Sequence, residues 1–186
     1  MKHRKVNFLV LFLAACTFLL VSCDKKTDEE VDILVGTYTF NSATFNETVS
    51  MKIDGVNSLL LPGTSAALFV GEALLGAAPC DDSLNAAVEL RSDGKTFYAC
   101  LNEANEDQMG TWLINTERTI LYLNISNPQP FQLTISSLNI SANAFSGTVD
   151  NFPLPVDTSI DLGDDLPGGG VNYQVSSIDL RFTKVP

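Results

Sequence analysis

The chain has 186 residues, with 22 acidic side chains against 11 basic ones, four cysteines and a single histidine. A formal charge of −11 argues against nucleic acid and anionic lipid headgroups as partners, since both demand a basic face. The only histidine, His3, lies in the leading segment, which reads as a removable signal, so neither a Ser-His-Asp or Cys-His nucleophile nor a His-ligated metal site is expected in the mature chain.

Lys2, Arg4 and Lys5 precede an apolar run over residues 6–21, the n-region and h-region pattern of a secretory signal. The run is short for a transmembrane helix. It ends in Leu20-Val21-Ser22-Cys23, which resembles the bacterial lipobox, in which the Cys thiol is acylated and becomes the new N-terminus. Leu13-Ala14-Ala15-Cys16 has a similar pattern, but cleavage there leaves an apolar stub and an unpaired thiol. Cys23 is therefore the expected lipidation site, with residues 1–22 as the signal peptide. Each buried methylene of an acyl chain contributes about 0.8 kcal/mol, so several chains on one residue anchor the protein to a bilayer. Without residues 1–22 the basic count is 8 against 22 acids, a charge of −14, and His3 is lost.

Residues 23–32 read as the lipidated Cys and a charged tether. The acids after Cys23 also resemble the stretch that directs Bacteroidota-type lipoproteins to the outer face of the outer membrane. The plain alternative is a solvated linker. Residues 33–186 read as one all-β domain of short alternating strands separated by turn residues. Val88 and Leu90 alternate with Glu89 and Arg91, and Ser92-Asp93-Gly94 turns the chain into a strand from Lys95. A second hairpin joins residues 109–114 to 119–125 through Asn115-Thr116-Glu117. Phe131, Leu133 and Ile135 share one face, as do Phe145 and Val149. In the last strand Val171, Tyr173 and Val175 are odd whereas Ile178, Leu180 and Phe182 are even, which predicts a bulge at Ser176-Ser177.

Two segments interrupt this pattern. Thr64 or Ser65 can cap a helix running to residues 75–78, ended by Pro79 and apolar on nearly every face. It reads either as a lid over a cavity or as a plug completing the core. Residues 151–170, with Pro153, Pro155, Pro167 and a Gly168-Gly169-Gly170 run, read as a long loop. Its acids Asp157, Asp161, Asp164 and Asp165 lack EF-hand spacing and read as a solvated surface rather than a metal site. Cys80 and Cys100 form the one even pair left after export and are expected as a disulfide closing a loop of about 20 residues. Asp82-Ser83-Leu84 resembles an O-glycosylation sequon of such bacteria.

Gly36-Thr37-Tyr38, the Cys80/Cys100 pair, Asp93-Gly94-Lys95, Gly110-Thr111-Trp112 and Ile178-Asp179-Leu180-Arg181-Phe182 together resemble the lipocalin-like lipoproteins of the Bacteroidota type, which open their domain with Gly-x-aromatic. The resemblance implies an antiparallel up-and-down (lipocalin-like, calycin-type) β-barrel of about eight strands with a central cavity. It also implies barrel closure by Gly36, Tyr38 and Arg181, with the guanidinium over the first-strand aromatic. The leading expectation is an envelope-anchored barrel that binds a small hydrophobic or amphipathic ligand against Phe97, Phe131, Leu133, Phe145 and Phe182. The alternative is a filled barrel that contacts another envelope component. No carboxylate pair stands out for catalysis, so no enzyme, cofactor or metal site is expected.

Overall fold

A computed structural model of the chain describes residues 31–127, 130–158 and 173–186. Cys23, the signal segment, most of the tether, and Asp161, Asp164 and Asp165 lie outside the described residues. Residues 32–186 form one compact unit.

Eight strands close into an antiparallel barrel: β1 (Gly36–Phe45), β4 (Ala86–Leu90), β5 (Lys95–Cys100), β6 (Glu106–Ile114), β7 (Leu121–Ile125), β8 (Phe131–Ser141), β9 (Ala144–Pro155) and β10 (Tyr173–Lys184). From β4 to β10 each strand pairs with the next, and β1 sits between β10 and β4. The connection from β1 to β4 holds an insertion, the hairpin β2 (Val49–Ile53) and β3 (Val56–Leu60) followed by helix α1 (Ala67–Leu75). We call the end where β1 begins the lower end and the end holding the insertion the upper end.

The turns obey local chemistry. Gly94 takes φ 78° between β4 and β5, the left-handed conformation expected of it. Between β6 and β7, the Asn115 carboxamide oxygen accepts from the Thr119 and Ile120 N–H groups and Arg118 adopts φ 57°. Bulges bend the strands into closure. In β1, Phe40 pairs with Phe182 but Ser42 pairs with Arg181, so Asn41 is extra. The inward set switches there from Tyr38 to Ala43 and Phe45, all three buried. In β8 the same happens around Ser137 (φ 49°), where burial passes from Leu133 and Ile135 to the partly buried Leu138 and Ile140.

The bulge expected at Ser176-Ser177 is displaced. Strand β10 keeps its even residues inward from Ser176 through Phe182, and Val175 is 62% exposed. The extra residue lies across the ladder in β9, where Phe152 pairs with Ser176 and Val149 with Ile178. At that height β9 has parted from β8, whose last β9 partner is Thr148, so a bulge there disturbs one ladder rather than two. The same free edge explains a second correction: residues 151–155, expected as loop, belong to β9. Pro153 and Pro155 sit where a missing N–H costs least.

The β1–β4 seam is short, with Gly36, Thr37 and Tyr38 paired to Leu90, Glu89 and Val88. Above it the free edge of β1 is taken by residues 64–66: Phe45 N–H donates to Thr64 O at 3.0 Å and Ala66 N–H to Ala43 O at 2.9 Å. Helix α1 then lies against β1 and β4. Ala66, Val70 and Leu74, spaced four apart, are buried, whereas Leu68 is 79% exposed. The helix therefore buries one face, not several, and packs as a plug beside the seam. The helix is not capped by Thr64 or Ser65 as expected: its N-cap is Ala66, which has no side-chain capping bond, and Ser65 just before it accepts from Ala67 N–H at 3.3 Å.

The Cys80–Cys100 disulfide joins the segment after α1 to the end of β5, with Cα atoms 5.3 Å apart. Replacing both cysteines by alanine should lower unfolding stability by about 3 kcal/mol, the chain-entropy value for a loop of this size, seen as a lower urea midpoint with a steeper slope, because the unlinked denatured chain exposes more surface.

Candidate functional site

The barrel interior comes first, because the sequence places five candidate ligand residues there. Leu133, Phe145 and Phe182 do point inward, and each is no more than 2% exposed. They pack in one cluster with one another and with neighbouring side chains. Phe145 stacks on Phe182 with centroids 4.9 Å apart, Tyr38 meets Phe145 edge-on at 4.9 Å, and Phe40 meets Phe182 at 5.6 Å. Phe131 is half-buried at the upper end of β8. Phe97 does not join them. It alternates with the buried Thr96 and Tyr98, so it faces outward, and the Arg91 guanidinium lies 3.7 Å over its ring. The inward aromatic of β5 is Tyr98, and the even register that Cys100 shares with Tyr98 was the available signal.

Both ends are fastened. At the lower end the turn over residues 32–35 buries Leu34 completely. The Asp32 carboxylate accepts from Leu34 N–H at 2.8 Å and takes a two-pronged contact from Arg118 at 2.6 and 2.9 Å. Trp112 is partly buried against the core, and its indole N–H donates to Arg91 O at 2.8 Å, tying down the β4–β5 turn. Tyr98 OH donates to Asn127 O at 3.1 Å near the upper end.

The closure residues divide. Gly36 stands at φ 149°, where a side chain is strained and an added Cβ would collide with the Lys184 side chain. Tyr38 is buried and its hydroxyl donates to Ile33 O at 3.4 Å. Arg181 does not stack on it. Position 181 pairs with Ser42 and its side chain is exposed on the outer wall. The cation over Tyr38 is Lys184, directly paired with it, with Nζ 5.7 Å from the ring centroid and donating to Ile33 O at 3.0 Å. Inward residues of β10 are even, so an odd position could not reach the interior.

Burial, then the Asp32 charge, pushes the Tyr38 hydroxyl up to about 12. Burial, then Asp107, raises Tyr98 to about 12. Both remain neutral hydrogen-bond donors at physiological pH. Among the described residues no group of His, Cys, Asp and Glu side chains is arranged to hold a metal. On the outer wall, Asn139, Ser141, Ala144, Phe145, Ser146 and Arg181 line a depression of about 170 Å³.

No family model, no curated protein and no solved structure matches this chain. The closed eight-stranded antiparallel barrel is consistent with a lipocalin-like fold, and function has to be argued from the surfaces and interior just described.

Two outcomes follow. Thr96 Oγ1 is buried with no hydrogen-bond partner among the described residues. Thr96→Val should therefore raise stability by about 1 kcal/mol in denaturant unfolding, since it removes an unsatisfied hydroxyl at nearly constant shape. The Arg118 hydrogen bond is the largest influence on Asp32 and holds its carboxyl below the ordinary 3.8. A depressed folded value means that the stabilisation is fully present above the ordinary carboxylate range and is lost as pH falls through the folded value. Arg118→Gln should cost about 1 kcal/mol at neutral pH and flatten that acid-side loss in a stability-versus-pH series.

Proposed function

We propose that this chain is an envelope lipoprotein, anchored through acyl chains on Cys23, whose filled barrel engages another envelope protein through the insertion between β1 and β4. The observation that carries this reading is the surface of that insertion. Of ten exposed large hydrophobic side chains among the described residues, four lie within residues 56–68: Val56, Leu59, Leu61 and Leu68. Strand β3 pairs with β2, and its other edge is unpaired among the described residues. It carries no charged residue in Val-Asn-Ser-Leu-Leu. Natural edges are usually blunted by charge, proline or a bulge, so an uncharged apolar edge suits a partner that adds a strand to it.

The packed aromatics support a scaffold over an internal carrier, because a ligand would have to displace Phe145 or Phe182 from close ring contacts. The chain enters the barrel at Asp32, at the end opposite the insertion.

The test is site-specific photocrosslinking of the full chain in its own membrane, with the photoreactive group at position 59. A single strong protein adduct is expected, reduced more than about tenfold by Val56→Lys together with Ser58→Lys, since truncating a hot spot of 1.4 kcal/mol or more has that effect. An adduct indifferent to those substitutions, or equally strong from position 113 near the lower end, contradicts the reading.

A further inference from the structure

Six cationic side chains are described, and five are engaged. Lys52 lies 3.6 Å from Asp157, Arg91 pairs with Glu89 and Glu106, Lys95 with Asp93, and Arg118 with Asp32. Lys184 holds Ile33 O and the Tyr38 ring. Arg181 alone has no acidic or hydrogen-bonding partner among the described residues. In a chain with 22 acids, a solvent-facing guanidinium left unpaired stands out from every other cation among the described residues.

Its surroundings form a row. Across the outer wall Asn139 pairs with Ser146, Ser146's strand continues the row to Arg181, directly paired with Ser146, and Arg181 pairs with Ser42 on β1. Adjacent strands lie about 4.8 Å apart, so Asn139, Ser146 and Arg181 present an amide, a hydroxyl and a guanidinium along about 10 Å of one face. Asn139 and Ser146 make no side-chain hydrogen bonds within the described protein, whereas the neighbouring Ser141 hydroxyl is used, donating to Ala144 O at 3.1 Å. The same three side chains line the depression of about 170 Å³.

We propose that this depression is a binding site for an acidic monosaccharide unit, a sugar ring bearing a carboxylate. A planar guanidinium matches a carboxylate through two parallel hydrogen bonds, which a lysine cannot reproduce. Ser146 and Asn139 offer both donors and acceptors beside the guanidinium, as a polyol requires. The depression is shallow and open to solvent, which suits a single polar ring laid against the wall rather than an enclosed apolar ligand. The site lies on the barrel wall, apart from the β2–β3 insertion, and does not depend on the function proposed above.

The experiment is an NMR titration of the isotopically labelled full chain in detergent with glucuronate, methyl glucoside and acetate as separate probes. Glucuronate should give saturable amide shifts centred on positions 139, 146 and 181 with a Kd of about 1–10 mM, the range for one exposed charge-assisted contact with added hydrogen bonds. The affinity should weaken several-fold between low salt and 0.5 M NaCl, as about a 10 Å screening length at 0.1 M shrinks. Arg181→Gln should weaken it about tenfold or more, and Asn139→Ala less, with both variants retaining the wild-type amide spectrum elsewhere. Absence of saturable shifts for glucuronate overturns the site, as does unchanged binding in Arg181→Gln. Equal affinity for acetate or for methyl glucoside overturns the assignment to a sugar acid.

Discussion

Closure of the β1–β4 seam is the constraint on which the rest of the structure depends. Three residue pairs hold the seam at the lower end, and above them β1 bends away at Asn41 and offers its edge to residues 64–66. An open seam would expose both a strand edge and the aromatic interior. The insertion resolves both problems: its returning segment occupies the edge, α1 lays Val70 and Leu74 onto the core, and the disulfide fixes the far side of α1 to β5. The lower end shows the same economy. One turn around Asp32 buries Leu34, engages Arg118 of the opposite hairpin and receives Lys184 from β10, so three distant parts of the chain meet at one carboxylate and one carbonyl.

What could be read from the sequence was local. Gly94 has one conformational role, Asn115 one way to cap a tight turn, and alternation in β8 and β9 leaves little choice of face. The all-β antiparallel class follows from such signals and the Cys80–Cys100 pairing from cysteine parity, whereas the closed barrel was implied by the family resemblance. What escaped was set by partners. Strand β10 was expected to bulge because its own residues change parity, but the extra residue sits in β9, where only one ladder is disturbed. Phe97 has the composition of a core residue, yet its register with Glu89 and the guanidinium of Arg91 place it outside. Arg181 and Lys184 differ by three positions, and only the pairing of Tyr38 with Lys184 decides which cation meets the ring. Register is a relation between two strands, and neither strand's sequence contains it alone.

The same distinction governs function. Two of the residues expected as ligand contacts, Phe145 and Phe182, stack on one another, and the closure residue Tyr38 meets Phe145 edge-on. Aromatic pairs in such geometry add about 0.5–1.5 kcal/mol each beyond burial, so emptying the interior to admit a ligand would forfeit several kcal/mol. Among the described residues, the edge of β3 and the row ending at Arg181 are left without partners, and these are the surfaces on which the two proposals rest.

The central claim, that the interior is filled by the protein's own side chains, is tested most directly by titrating the full chain with a series of long-chain fatty acids while following thermal unfolding and native mass spectra. The account predicts no one-to-one complex and a midpoint unchanged within about 1 °C. A ligand present at a hundredfold its Kd would stabilise the fold by about 2.7 kcal/mol and move the midpoint by roughly 5 °C or more. A saturable one-to-one complex with such a shift, abolished by Phe145→Trp, would contradict it.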